Sequence, residues 1–253
     1  MQVLDRALAI LNVLSDQKVG LSLAELSEKL QLHKSTVHRL VMVLERHRLV
    51  DKHPQTARYR LGMRLFELGS KAIDNIDLRE RCRPHLTRIV YEINETVHCS
   101  VLDHGEVLYI EKMEPQRGLR MASSVGYRAP AYCTAMGKAM LALLPEVEVD
   151  EIVRQSGLKQ VTRKTIVTPA DLRAELKLIR LRHYAMDDEE KEEGVRCVGA
   201  AVVGYSGRPV AAISVSGPSF RITKDKLPNI AKAVIDVARA LSAELGHKPQ
   251  DLS

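Results

Sequence analysis

Five polar side chains fall within six consecutive positions, Lys34-Ser35-Thr36-Val37-His38-Arg39, and their types suit one kind of chemistry. Short hydroxyls, an imidazole and a guanidinium fork can exchange hydrogen bonds with base edges, and an ammonium group can neutralise phosphate. Farther along, Arg58 and Arg60 stand two apart, so on a strand they would share a face and reach a phosphate or a minor groove together. Residues 31–64 hold eight basic side chains against two acidic ones, a local +6 that equals the formal net charge of the whole 253-residue chain. The remainder is near neutral, so the positive excess sits where an anionic polymer would be read.

These side chains need a scaffold, and the first seventy-five residues supply its pattern. Val3, Leu4, Ala7, Leu8, Ile10, Leu11 and Leu14 recur at helical spacing, predicting a first helix over Val3–Leu14 with one apolar stripe to bury. Ser22 followed by Glu25 is a capping-box pattern, predicting a short second helix from Leu23 to Leu30 that buries Leu23, Leu26 and Leu30. A third helix carries Val37, Leu40, Val41 and Leu44 on its inner face and the polar cluster at its N-terminal end, as a helix entering the major groove must. Residues 49–52 and 58–61 read as two short strands around His53-Pro54-Gln55-Thr56-Ala57, a basic hairpin. An ordinary three-helix bundle with solvated charges accounts for any one of these features. Their order favours a winged helix-turn-helix.

Composition narrows the alternatives. No apolar run approaches the roughly 18 residues that span a bilayer, and the N-terminus lacks a secretory pattern, so the expectation is a cytoplasmic protein with no membrane role. Cys82, Cys99, Cys133 and Cys197 are widely and unequally spaced, which fits reduced thiols rather than a disulfide framework or a zinc ribbon. Patterns for an esterase elbow, a zinc protease or a dinucleotide fold are absent, and Gly137-Lys138 lacks the upstream glycine of a phosphate-binding loop. The enzymatic alternative, with Cys197 or Cys99 as nucleophile, therefore has little support. His98, Cys99, His104 and Cys133 could gather around a metal, but their spacing matches no compact ligand motif, and no metal or cofactor is predicted.

Beyond a helix at residues 62–76, a further helix is expected over Leu78–Asn94. Strand-like runs follow at 97–102, 107–111, 196–203 and 210–216, alternating with helical ones at 135–144, 147–156, 169–183 and 226–245. Five ordered stretches now carry a resemblance. They are Leu32-His33-Lys34-Ser35-Thr36-Val37-His38-Arg39-Leu40, Tyr59-Arg60-Leu61-Gly62, Cys133-Thr134-Ala135-Met136-Gly137-Lys138-Ala139, Asp187-Asp188-Glu189-Glu190 leading to Gly194-Val195-Arg196-Cys197-Val198, and Ile213-Ser214-Val215-Ser216-Gly217-Pro218. Together they span nearly the whole chain, which resembles the IclR family of transcriptional regulators. His33 stands where that family often has proline.

The resemblance implies an α+β protein: a winged helix-turn-helix over residues 1–62, a linker helix over 63–77, and a GAF-like α/β effector-binding and oligomerisation domain over 78–253. It implies a homodimer joined through its N-terminal domains, pairing further into tetramers, on palindromic operator DNA. Ser35, Thr36, His38 and Arg39 are the candidate base readers, with Lys34, Arg58 and Arg60 as phosphate contacts. It also implies a small organic acid or related metabolite as effector. Thr134 can cap a helix that begins at Ala135, leaving the N–H groups of Ala135 and Met136 aimed at a carboxylate. Ser214 and Ser216 alternate onto one strand face, and Asp187 and Cys197 complete the family's pocket pattern. Asp187 would repel a carboxylate unless it bound a hydroxyl or carried a proton. Met136 and Leu119 could form an apolar wall. Each residue has a plainer role open to it: backbone satisfaction for the serines, core packing for Cys197, Met136 and Leu119, a turn cap for Asp187. A DNA-binding architectural protein without an effector remains the rival reading, and repressor or activator is left open.

Overall fold

The computed structural model describes residues 2–15, 17, 19–74, 78–115 and 123–248. The chain divides into two compact units, Met1–Asp77 and Leu78–Ser253.

The first unit contains α1 (Gln2–Ser15), α2 (Leu23–Leu30), α3 (Lys34–Arg46), β1 (Val50–Lys52), β2 (Tyr59–Leu61) and α4 (Met63–Asp74). The capping box forms as the spacing predicts. Ser22 N–H donates to Glu25 Oε2 at 2.7 Å and Glu25 N–H to Ser22 Oγ at 3.3 Å. Gln31, left-handed at φ 52°, ends α2 and turns the chain into α3. Ile10, Leu14, Leu26, Val37, Val41, Leu44, Val50 and Tyr59 make the core, while Leu23, Leu30 and Leu40 are half-buried at its margin. The α1 stripe does not bury whole: Val3, Leu4 and Leu8 are 68%, 66% and 50% exposed. That stripe is wider than the face that α2, α3 and β2 can cover, so only its C-terminal half meets the core. β1 and β2 pair antiparallel with Asp51 opposite Arg60, and Leu21 bridges to Tyr59 on the other side. Gly62 must lack a side chain, because a Cβ there would lie 2.2 Å from the carbonyl oxygen of Arg48.

The second unit is built on a six-stranded sheet in the order β5-β4-β3-β8-β7-β6, antiparallel throughout. Its elements are α5 (Leu78–Ile93), β3 (Thr96–Asp103), β4 (Glu106–Met113), β5 (Arg128–Pro130), a 3₁₀ turn (Ala131–Cys133), α6 (Ala135–Leu141), α7 (Glu146–Ser156), α8 (Pro169–Arg182), β6 (Ala185–Asp188), β7 (Val195–Val203), β8 (Pro209–Pro218) and α9 (Leu227–Glu244). Alternation along the strands separates two cores. Val97 and Cys99 of β3, Val198, Ala200 and Val202 of β7, and Ile213 and Val215 of β8 pack with α5 and α9. The opposite face, with Val107 and Ala212, packs under α6, α7 and α8. The intervening residues His98, Ser100, Cys197, Gly199, Ser214 and Ser216 therefore point to the α6 side. The strand and helix expectations hold with shifted ends, but β5, the 3₁₀ turn and β6 were not among them.

Candidate functional site

The N-terminal unit presents its polar cluster outward. Lys34, Ser35, His38 and Arg39 are exposed and Thr36 half-buried, while Val37 between them is fully buried and fixes the rotation of α3. The residue before the helix is His33, whose side chain makes no capping bond; its φ of −58° and ψ of 139° are values that proline adopts. The substitution thus keeps the backbone that the polar tip requires. The N–H groups of Lys34 and Ser35 have no carbonyl within the helix to bond, so backbone donors join the side chains at the positive end of the helix dipole.

Arg58 and Arg60, which the spacing pairs on one strand face, have different surroundings. Arg60 is exposed on β2. Arg58 precedes the strand, and its guanidinium donates to the Gly20 carbonyl at 3.0 Å and to Glu25 Oε1 at 2.8 Å. Glu25, bonded by the Ser22 backbone and hydroxyl as well as by Arg58, is held down at about 2. Arg58 therefore braces the hairpin against the start of α2, and its charge is already partnered.

In the second unit the six residues singled out from the sequence, Ala135, Met136, Asp187, Cys197, Ser214 and Ser216, line one cavity of about 110 Å³. Thr134 caps α6 through a bond from Gly137 N–H at 3.2 Å, so the N–H groups of Ala135 and Met136 are left without helical acceptors at the cavity wall. That helix end reaches the sheet because position 199 is glycine: a Cβ there would lie 3.1 Å from both Ala135 C and Met136 N. Ser214 stands opposite His98 and Gly199, and Ser216 opposite Thr96 and Cys197, which brings residues distant in sequence onto one floor. Ser100 Oγ donates to the Met136 sulfur at 3.2 Å. Leu119, the other half of the expected apolar wall, lies outside the described residues.

The cavity gains groups that sequence reasoning missed or placed elsewhere. His98 is buried, with Nε2 2.7 Å from Ser123 Oγ, Nδ1 3.4 Å from Ser216 Oγ, and its ring edge-on to Tyr109 at 5.0 Å. Burial, with the Lys112 ammonium adding to it, drives the imidazole down to about 3, so it is neutral at physiological pH. Tyr109, Tyr127, Lys191, Glu192 and Val195 complete the lining. The alternation of β3 places His98 on the same face as Ser100, but only the β3–β8 register shows that it meets Ser214 and Ser216. The metal grouping is pulled apart: Cys99 faces the opposite core and His104 sits in the exposed β3–β4 turn at φ 49°. Among the described residues no group of three or more histidine, cysteine or carboxylate side chains could hold a metal ion.

Asp187 lies on β6, not in a loop, and is buried. Its Oδ1 accepts from the N–H groups of Glu190 at 2.8 Å and Lys191 at 3.3 Å. Burial, then the nearby Glu190 charge, raises it to about 7, with those backbone bonds opposing the rise. Burial and the Asp187 charge push the Cys197 and Cys133 thiols up, Cys133 to about 12, so neither is a ready nucleophile. Behind the cavity Lys138, 1% exposed, pairs with Glu190 and lies 3.9 Å from Glu175, tying α6 to the turn that follows Asp187.

A polar-tipped helix beside a basic hairpin in one unit, and a cavity lined by buried polar groups in the other, define a ligand-responsive DNA-binding regulator. Residues 3–54 match the IclR helix-turn-helix domain and residues 70–243 the bacterial transcriptional regulator IclR C-terminal domain. The HTH-type transcriptional regulator XynR of Escherichia coli is 34% identical over 97% of this chain and 98% of its own. Transcriptional repressor IclR of the same organism is 32% identical over 97% and 90%. Among solved structures, Thermotoga maritima IclR aligns with a TM-score of 0.66 at 34% identity over 98% of this chain and 100% of its own, and the Agrobacterium tumefaciens repressor BlcR with 0.78 at 28% over 98% of each. The chain belongs to the IclR family of transcriptional regulators, with a helix-turn-helix DNA-binding domain and a C-terminal effector-binding domain. These relatives are regulators, not enzymes, and no helix among the described residues is long and apolar enough to cross a membrane.

Proposed function

We propose that this protein binds a palindromic operator as a homo-oligomer and that a small organic acid, held in the cavity at the start of α6, changes its operator affinity. In this reading Ser35, Thr36, His38 and Arg39 read bases, Lys34 and Arg60 contact phosphate, and Arg58 holds the hairpin in place. The exposed Val3, Leu4 and Leu8 on α1 support pairing of two chains through their N-terminal domains, since such a stripe favours burial. Domains at 1–62 and 78–253 with a linker helix between them remain the proposed division.

The observation that carries the effector assignment is the convergence of polar groups on one cavity, with Lys191 and Glu192 as its charged members. Two helix N–H groups, the hydroxyls of Ser214 and Ser216, and a neutral His98 line a site where Asp187, raised to about 7, holds a proton for part of the physiological range. A protonated Asp187 donates to a carboxylate, and an ionised one repels it. An apolar cavity of about 150 Å³ holds one benzene molecule, so 110 Å³ suits an acid with only a few non-hydrogen atoms.

The test is fluorescence anisotropy of the full chain on its own upstream DNA, at several salt concentrations, with and without two- to six-carbon carboxylic acids. Sequence-selective binding shifted by one acid is the expected result, with about 1–3 kcal/mol of coupling. Equal binding to scrambled DNA, unmoved by every acid, would overturn the reading in favour of an architectural role.

A further inference from the structure

A second, larger cavity opens where the sheet loses a strand. β6 and β7 pair only from Asp188 opposite Arg196 to Ala185 opposite Gly199, whereas β7 continues to Val203. Two bonds fix which backbone groups face the open edge. Glu189 N–H donates to the Val195 carbonyl at 3.0 Å, and Val203 N–H to Ser242 Oγ at 2.9 Å, so odd-numbered residues of β7 direct their N–H and C=O away from β8. The register shift near Val203 does not disturb this parity, because the extra residue is Val210 on β8. Ala201 therefore turns its peptide groups toward a cavity of about 430 Å³ that it lines.

The chemistry of that cavity differs from the first. Leu143 of the turn after α6, Ile179 of α8 and Ile235 of α9 supply apolar walls. Arg180, Arg239, His183 and His247 supply the polar rim, and no carboxylate lines it. The Arg180 guanidinium is anchored by its Nε on the Ala142 carbonyl, and Asp236 beside the rim pairs with Lys232 at 2.7 Å. An apolar chamber with an open-edge amide and two guanidinium groups favours a molecule with a greasy body and an anionic end. The two cavities are separate: α6 reaches the first with Met136 and the second with Ala139, and β7 with Cys197 and Ala201, about 13 Å apart along an extended strand.

We propose that this cavity is a second small-molecule site, specific for an amphipathic carboxylate larger than the first cavity admits, with its acid group between Arg239 and the Ala201 edge amide. The test uses the full chain and two probes, 8-anilinonaphthalene-1-sulfonate as fluorophore and octanoate as competitor. One fluorophore should bind per chain and be displaced by octanoate. Ala243→Trp, at an exposed lining position on α9, fills the chamber and should weaken the fluorophore by about tenfold or more, and Arg239→Glu by roughly tenfold. Ser216→Ala, in the first cavity, should leave it unchanged. Unaltered binding in both Ala243→Trp and Arg239→Glu, loss in Ser216→Ala, or failure of octanoate to compete would each overturn the proposal. Arg239 is exposed, so the charge reversal reports on the site even if the tryptophan disturbs folding.

Discussion

The two units handle polar side chains in opposite ways. The N-terminal unit buries a small apolar core and leaves Lys34, Ser35, His38, Arg39 and Arg60 at its surface, where position and number matter. The effector unit buries His98, Asp187, Lys138, Glu190, Ser214 and Ser216, and burial itself moves His98 down and Asp187 up. Exposed charge responds to salt, whereas buried titratable groups respond to pH.

If that contrast holds, the largest effect on stability belongs to the buried pair. Lys138→Ala strands Glu190 without its partner and should cost about 3–5 kcal/mol in urea unfolding, whereas a loss below about 1 kcal/mol would mean that water reaches Glu190. Arg39→Ala should relax base preference at one operator position by about 1–3 kcal/mol, with unfolding unchanged; equal weakening on all sequences would recast Arg39 as a phosphate contact. Asp187 supplies the pH arm. Its pKa in the fold is above the ordinary carboxylate value, so the stability that it contributes is full at low pH and is lost as pH rises through about 7. Affinity for a carboxylate effector should fall over the same window, and Asp187→Asn, which keeps an acceptor for the Glu190 and Lys191 amides, should flatten both profiles. Effector affinity that stays pH-dependent in that variant would assign the titration elsewhere. The smallest effect is Arg60→Gln, which should lower the salt slope of DNA binding by about 1 without a pH signature.

The same contrast explains what the sequence could and could not reveal. Ser22 and Glu25, or Val37 among its polar neighbours, act within one helical turn, so spacing alone located them. The exposure of Val3, Leu4 and Leu8 was not legible, because periodicity tells which residues share a face but not how much of it neighbouring elements cover. The ion pair of Arg58 was not legible because its partners, Gly20 and Glu25, lie more than thirty positions away. Ala185–Asp188 becomes a strand only because β7 supplies a pairing edge, and His98 joins the cavity only through the register of β3 with β8. The six effector residues came from family resemblance; no local rule brings positions 135, 187, 197, 214 and 216 together.

Gly199 gives that assembly an adjusting screw. A methyl group there would press on the first peptide of α6 and force a shift of a few tenths of an ångström. The same methyl group would lie 3.2 Å from the Ile213 carbonyl oxygen, so the β8 backbone beside Ser214 would feel it as well. Gly199→Ala would thus alter the headroom of the cavity without changing the chemistry of any group that lines it. For anyone reshaping this cavity, the handle lies underneath the helix and outside the ring of side chains that would ordinarily be mutated.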